Sequence, residues 1–249
     1  MIMCIVVTSM GVWDEQNMRA LKETAFVDDK KNTMASQLAD RLREAIVSGS
    51  LSPGSKINLD RARAIFDVSL SPLREALARL IADGLVEFED NRGYWVAPVS
   101  LANLAEITQL RAEMESMALR HAMVTGDLNW ESDVMRSLHR LNRTIRDPAV
   151  PASFEQWEAA HREFHLTLLS GCGMPLLLNF CRVLMNLNDR YRRSFLQAQP
   201  GDRNVSVEHS EIAQGAVARD VDFACTRLSE HILRTGTNLR KYLADKLPA

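Results

Sequence analysis

The chain opens its patterned region at Met34. From there to Ser48 the apolar residues fall at Leu38, Leu42, Ala45 and Ile46, the spacing of one helix face. Ser52-Pro53-Gly54 marks a turn, and a second short helix is expected from about Asp60 to Phe66. A third helix follows, with Ser71 as its N-cap and Pro72 at its first position, where a missing N–H costs nothing. Leu73, Leu77, Leu80 and Ile81 form its apolar stripe, and Asp83-Gly84 ends it with a left-handed cap. Leu85-Val86-Glu87-Phe88 and Tyr94-Trp95-Val96-Ala97 read as short strands around the polar turn Glu89-Asp90-Asn91-Arg92-Gly93. Three helices and a two-stranded wing make a winged helix-turn-helix over residues 34–99.

After Pro98 the strand signal stops. Six helices are expected near 101–124, 129–146, 153–170, 175–198, 205–218 and 222–245. Thr125-Gly126-Asp127, Asp147-Pro148, Gly171-Cys172-Gly173 and Gln199-Pro200-Gly201-Asp202 separate several of them. The expected fold is therefore mostly α: a winged helix-turn-helix, then an all-α antiparallel helical bundle over residues 100–249. Residues 1–33 read as a loose N-terminal extension.

Composition narrows the function classes. Aromatic residues are 6% of the chain, which suits helices more than sheets. The formal net charge is −2, so any contact with DNA must come from a local patch rather than a basic excess. Cys4, Cys172, Cys181 and Cys225 form no CxxC pair and read as reduced thiols of a cytoplasmic protein. Met1–Val7 is apolar but short, lacks a basic flank and is soon followed by Asp14 and Glu15, so no signal peptide is expected. No apolar run approaches the ~20 residues of a membrane span. No P-loop, dinucleotide fingerprint or Ser-His-Asp set is present, which argues against an enzyme.

In the first module the N-terminus of the third helix offers free N–H groups and partial positive charge to a phosphate. Ser69 and Ser71 put hydroxyls at that end, and Arg74 lies one turn in, on the face opposite Leu73 and Leu77. Arg74 can reach a base edge or a phosphate in the major groove. Arg92-Gly93 tips the wing, where the arginine can enter a minor groove, and Arg43 on the first helix can touch a backbone phosphate.

Leu42-Arg43-Glu44-Ala45-Ile46, Leu51-Ser52-Pro53-Gly54, Ser71-Pro72-Leu73-Arg74-Glu75-Ala76-Leu77, Asp83-Gly84-Leu85-Val86 and Asn91-Arg92-Gly93 occur in order. In this the stretch resembles the GntR family of winged-helix regulators. The resemblance implies operator double-stranded DNA as the partner. Leu70 stands where the family usually has Arg, and Asp67 where it usually has Gly. Ala62-Arg63 replaces a common Leu-Ala.

The second module carries a histidine pattern. His161 and His165 lie four apart on one helix, on the face of Phe154, Trp157 and Leu168. His209 and His231 lie about equally far on either side of a turn near Asp220, so an antiparallel hairpin returns them to one level. His209 shares a face with Ile212, Ala213 and Ala216; His231 shares one with Leu228 and Thr235. Four converging imidazoles point to a divalent metal: zinc first, with nickel, iron or manganese as alternatives. Glu158, Glu163 and Glu208 adjoin these histidines but are expected on other faces, and His121 and His139 read as ordinary residues.

The arrangement is similar to the FCD ligand-binding domain that accompanies many GntR modules, where the metal set is usually one Asp and three His. Here His161 takes the place of the Asp. The resemblance implies a homodimer through the helical domain and a small carboxylate effector beside the metal. Arg111 is the candidate to hold that carboxylate, with a surface salt bridge to Glu115 as the alternative; Arg190, Arg192 and Arg193 are further candidates. The expected function is a metal-dependent, effector-responsive repressor. A purely structural metal site and a metal-dependent enzyme are the competing readings.

Overall fold

A computed structural model describes residues 33–147, 150–196 and 205–245. The readings made for Met1–Val7, Cys4 and almost all of the extension lie outside the described residues. The chain divides into two compact units. Among the described residues, one holds residues 33–100 with Asp189–Ser194; the other holds the described part of 101–188 with residues 195–196 and 205–245.

In the first unit the order is α1 (Met34–Val47), β1 (Lys56–Ile57), α2 (Leu59–Phe66), α3 (Leu70–Ala82), β2 (Val86–Glu89) and β3 (Gly93–Val96). Side chains start the first two helices: Thr33 Oγ1 accepts from the Ser36 amide at 3.2 Å, and Asn58 Oδ1 from the Arg61 amide at 2.9 Å. Leu38, Leu42 and Ile46 of α1 pack into one buried core with Leu73, Leu77 and Leu80 of α3. The helix α3 begins at Leu70 with Ser69 as N-cap, so Ser71 sits inside the first turn rather than capping it. Pro72 is tolerated there because the first-turn amides have no intrahelical acceptor. The buried stripe is Leu73, Ala76, Leu77 and Leu80; Ile81, on the edge of that face, is 38% exposed. Gly84 ends α3 at φ 68° as expected, and the Leu85 amide donates to the Leu80 carbonyl at 2.9 Å.

The wing has three antiparallel strands, not two, in the order β1-β3-β2. The added strand pairs Lys56 with Trp95 and Ile57 with Tyr94. Two residues are too few for alternation to show in a sequence. The expected pairing of β2 and β3 places Phe88 opposite Tyr94 and Glu89 opposite Gly93. Asp67, where the resembled family usually has Gly, ends α2 in the left-handed region at φ 51°. That explains the departure physically: Gly has no Cβ to clash there, and Asp is among the few other residues that accept it.

The second unit contains α4 (Leu101–Thr125), α5 (Leu128–Arg143), α6 (Pro151–Ser170), α7 (Pro175–Leu196), α8 (Val205–Val217) and α9 (Val221–Ala244), the last turns of α7 being counted with the first unit. All six expected helices are present, and no strand occurs in this unit among the described residues. Helix α4 lies along α9, α9 along α8, and α5 along α6. Leu119, Phe164, Leu168, Ile212 and Leu228 are fully buried between them. Cys172, Cys181 and Cys225 are buried free thiols, and burial, with Glu115 nearby, pushes the Cys181 thiol up to about 12.

The contact of α4 with α9 is close because Gly236 faces Thr108. A Cβ at 236 would stand 2.3 Å from Thr108 Cγ2 and 2.4 Å from its hydroxyl. Gly236→Ala is therefore expected to destabilise the protein by about 1–3 kcal/mol through overpacking. Chemical denaturation measures this, and an unchanged midpoint would mean that the two helices part at no cost.

Candidate functional site

The histidines meet as their spacing requires. His161 and His165 come from α6, His209 from α8 and His231 from α9, and all four are at most 5% exposed. One ligand nitrogen from each lies within 4.8 Å of all the others. The ring centroids of His161 and His165 are 4.5 Å apart, and those of His209 and His231 are 4.7 Å apart. Four nitrogens about 2.1 Å from one ion sit about 3.4 Å apart in a tetrahedron and about 4.2 Å apart when opposite. The observed spread is a small side-chain rotation from either, so the residues fit a divalent ion. Trp157 stacks on His161 with centroids 5.0 Å apart. His121 and His139 are exposed and stand apart from the set.

Carboxylates stand behind two of the rings. Glu208 was expected on another face, yet its Oε2 lies 2.7 Å from His231 Nδ1, and its Oε1 accepts from Arg234 Nη1 at 2.6 Å. Helix periodicity directs Glu208 away from His209 on its own helix but does not constrain its contact with His231 on the next. Glu163 does point elsewhere, pairing with Arg140 at 2.8 Å, and Glu158 is buried. Arg111 Nε donates to Glu115 Oε1 at 2.7 Å, and both groups are buried, so this pair is in the core and not at the surface. Glu115 Oε2 lies 3.6 Å from His165 Nδ1, too far for a hydrogen bond. Burial pushes the Glu115 carboxyl up, but the Arg111 charge and the neighbouring His165 more than reverse this and hold it below the usual carboxylate range.

The other candidate arginines are placed differently. Arg190 and Arg193 belong to the first unit, where Arg190 donates to the Ala97 and Pro98 carbonyls and Arg193 pairs with Glu44. Arg192 is buried in the same segment.

In the first unit, Ser69, Ser71 and Arg74 are exposed along the start of α3. The Ser69 side chain makes no capping hydrogen bond, which leaves its hydroxyl to other partners. Arg74 has no ion-pair partner among the described residues, whereas Arg79 of the same helix pairs with Glu75. Arg92 pairs with Glu89 and lies over the Trp95 ring, 5.2 Å from its centroid. Gly93 takes φ 92° in open space, so the wing needs it for backbone conformation. Arg43 is bound to Asp40 and, at 2.7 Å, to Asp83.

Comparison with known proteins bears directly on these two units. Residues 34–96 match the model described as "Bacterial regulatory proteins, gntR family", and residues 106–234 match the FCD domain. The chain is 34% identical over 230 residues to the HTH-type transcriptional regulator BphR of Paraburkholderia xenovorans, covering 91% of this chain and 88% of that one. The chain belongs to the GntR family. It is a DNA-binding transcription regulator with an FCD domain, and not an enzyme. This GntR regulator is also 30% identical over 200 residues to the transcriptional repressor GlaR of Escherichia coli, covering 77% and 89% of the two chains. In fold it is similar to E. coli McbR/YncC, with a TM-score of 0.71 at 20% identity over 84% of this chain and 98% of that one. No helix among the described residues is long and apolar enough to cross a membrane.

The buried Arg111–Glu115 pair predicts an asymmetric response to mutation. Arg111→Ala strands a carboxylate in the core and is expected to cost about 3–5 kcal/mol in metal-free protein. The double change Arg111→Met/Glu115→Met should recover most of that loss. Denaturation curves for the two variants decide it, and equal losses in both would remove the pair from the account of stability.

Proposed function

We propose that this GntR regulator is a cytoplasmic homodimeric repressor. It holds operator DNA through residues 34–99 and releases it when a small carboxylate binds beside a divalent ion in residues 100–249. The observation that carries this reading is the convergence of His161, His165, His209 and His231 within 4.8 Å in the core of the helical unit. Four imidazoles taken out of water are costly unless their nitrogens find partners. Zinc suits four nitrogen donors, with nickel, iron and manganese as alternatives. A bound ion would supply a Lewis-acid position for an anionic group. Arg111, two side chains away from His165 through Glu115, would hold the effector's carboxylate by exchanging partners.

On DNA, the start of α3 with Ser69 and Ser71 would sit on a phosphate, and Arg74 would reach a base edge. Arg92 and Gly93 would bring the wing to the minor groove. Arg43 would reach a phosphate only by releasing Asp40 or Asp83. Two operator half-sites require two recognition helices, hence a two-fold dimer. Relatives named as repressors, GlaR and RspR of E. coli, support the direction of control. A second reading has its own support: four protein donors can close a tetrahedral site, leaving a structural ion and no effector. In that case chelation unfolds the domain, and no small acid alters operator affinity.

Metal analysis tests the centre. About one ion per chain is expected in the wild type, and none in His161→Ala/His209→Ala. A wild type that stays metal-free after reconstitution would overturn the reading. For the DNA face, Arg74→Ala should weaken operator binding by about 1–3 kcal/mol, measured by fluorescence anisotropy at fixed salt. Unchanged affinity and unchanged sequence preference would remove Arg74 from the interface.

A further inference from the structure

We propose that Glu208 is a positioning residue for the metal centre. By accepting the Nδ1 proton of His231 it holds that ring with Nε2 free to ligate, and it places a negative charge one hydrogen bond from a neutral donor set. The inference rests on the metal reading above and extends it to a residue outside the four histidines.

The geometry is a two-point grip across the α8–α9 hairpin. His231 and Arg234 lie three apart on α9, and each takes one oxygen of the Glu208 carboxylate, at 2.7 Å and 2.6 Å. An ionised carboxylate only accepts hydrogen bonds, so Nδ1 of His231 must carry the proton. In the neutral ring the lone pair is then on Nε2. With both oxygens engaged, the carboxylate cannot rotate without losing a charge-assisted bond, and the ring plane is set with it.

Charge gives the second reason. A divalent ion on four neutral imidazoles brings two uncompensated positive charges into a buried core. Glu115 and Glu208 each stand beside one of the rings. Glu115 is matched by the buried Arg111 at 2.7 Å and stays 3.6 Å from His165. Glu208 is matched by Arg234, whose side chain is 50% exposed, while the His231 side chain is 3% exposed. Water weakens the pull of the exposed arginine more than that of the buried ring, so the Glu208 charge acts mainly inward. Carboxylates that bind the far nitrogen of a ligating histidine commonly contribute 10–100-fold in metal affinity.

The test uses the full-length protein, stripped of metal and titrated with cobalt(II) in competition with a chelator. Glu208→Ala is expected to weaken cobalt binding about 10–100-fold and to alter its visible absorption bands. Glu208→Gln, which keeps an acceptor oxygen but loses the charge, should fall between that variant and the wild type. Glu211→Gln serves as control, because Glu211 lines the same cleft as Glu208 and pairs with Arg227 at 3.5 Å. It should bind like the wild type. Equal affinity and equal spectra in Glu208→Ala and the wild type would overturn the proposal. The tautomer is read separately by nitrogen-15 NMR of labelled histidines in metal-free protein, with His231→Gln assigning the signal. His231 protonated on Nδ1 in the wild type, and mixed in Glu208→Ala, supports the role of Glu208 even if the wild type binds no metal and the metal reading fails. A proton on Nε2 in the wild type would overturn it.

Discussion

The helical unit is organised around polar groups that have left water. Four imidazoles and the Arg111–Glu115 pair occupy positions that a simple bundle would give to leucines. Each such group costs free energy unless a partner meets it. The helices must therefore hold their relative heights closely: His209 and His231 face each other only if α8 and α9 stay in register about the turn at Asp220. Gly215 of α8, packed against Phe223 and Ala224 of α9, and the apolar contacts of Phe164, Ile212 and Leu228 supply that register. Packing and polar satisfaction are one constraint here, because a helix sliding by one residue would expose one set and strand the other.

The DNA-binding unit meets the opposite demand. The core between α1 and α3 is built from aliphatic side chains, and no polar side chain of those two helices is buried. Arginines that brace the fold, Arg43 and Arg79, have carboxylate partners, and Arg74 has none among the described residues. A rigid α3 presents that side chain without strain, since the stripe opposite it is fully buried. The wing follows the same economy: Gly93 and Asn91, both at positive φ, turn the chain, and Arg92 is left at the tip.

What the sequence made legible were features with a period or a symmetry. Helix spacing exposed all six bundle helices, and the equal distances of His209 and His231 from Asp220 exposed their meeting. Features that depend on a neighbouring element stayed hidden. Lys56–Ile57 becomes a strand only because β3 lies beside it. Glu208 matters because of what α9 places opposite, and no property of α8 alone points to it. Glu115 was visible as a partner four residues from Arg111, but whether that pair was wet or buried depended on the packing of α4. Asp67 stood out as a departure, and its meaning came only with its φ of 51°.

The stacking of Trp157 on His161 has a consequence for observation. The chain has four tryptophans, and this one lies ring to ring with a candidate ligand, 5.0 Å away. An indole in that position senses the electronic state of its neighbour, and a paramagnetic ion at the cluster would drain its excited state within a few ångströms. For a paramagnetic ion such as nickel or cobalt, that indole would be an optical gauge of occupancy, read without label, dye or DNA.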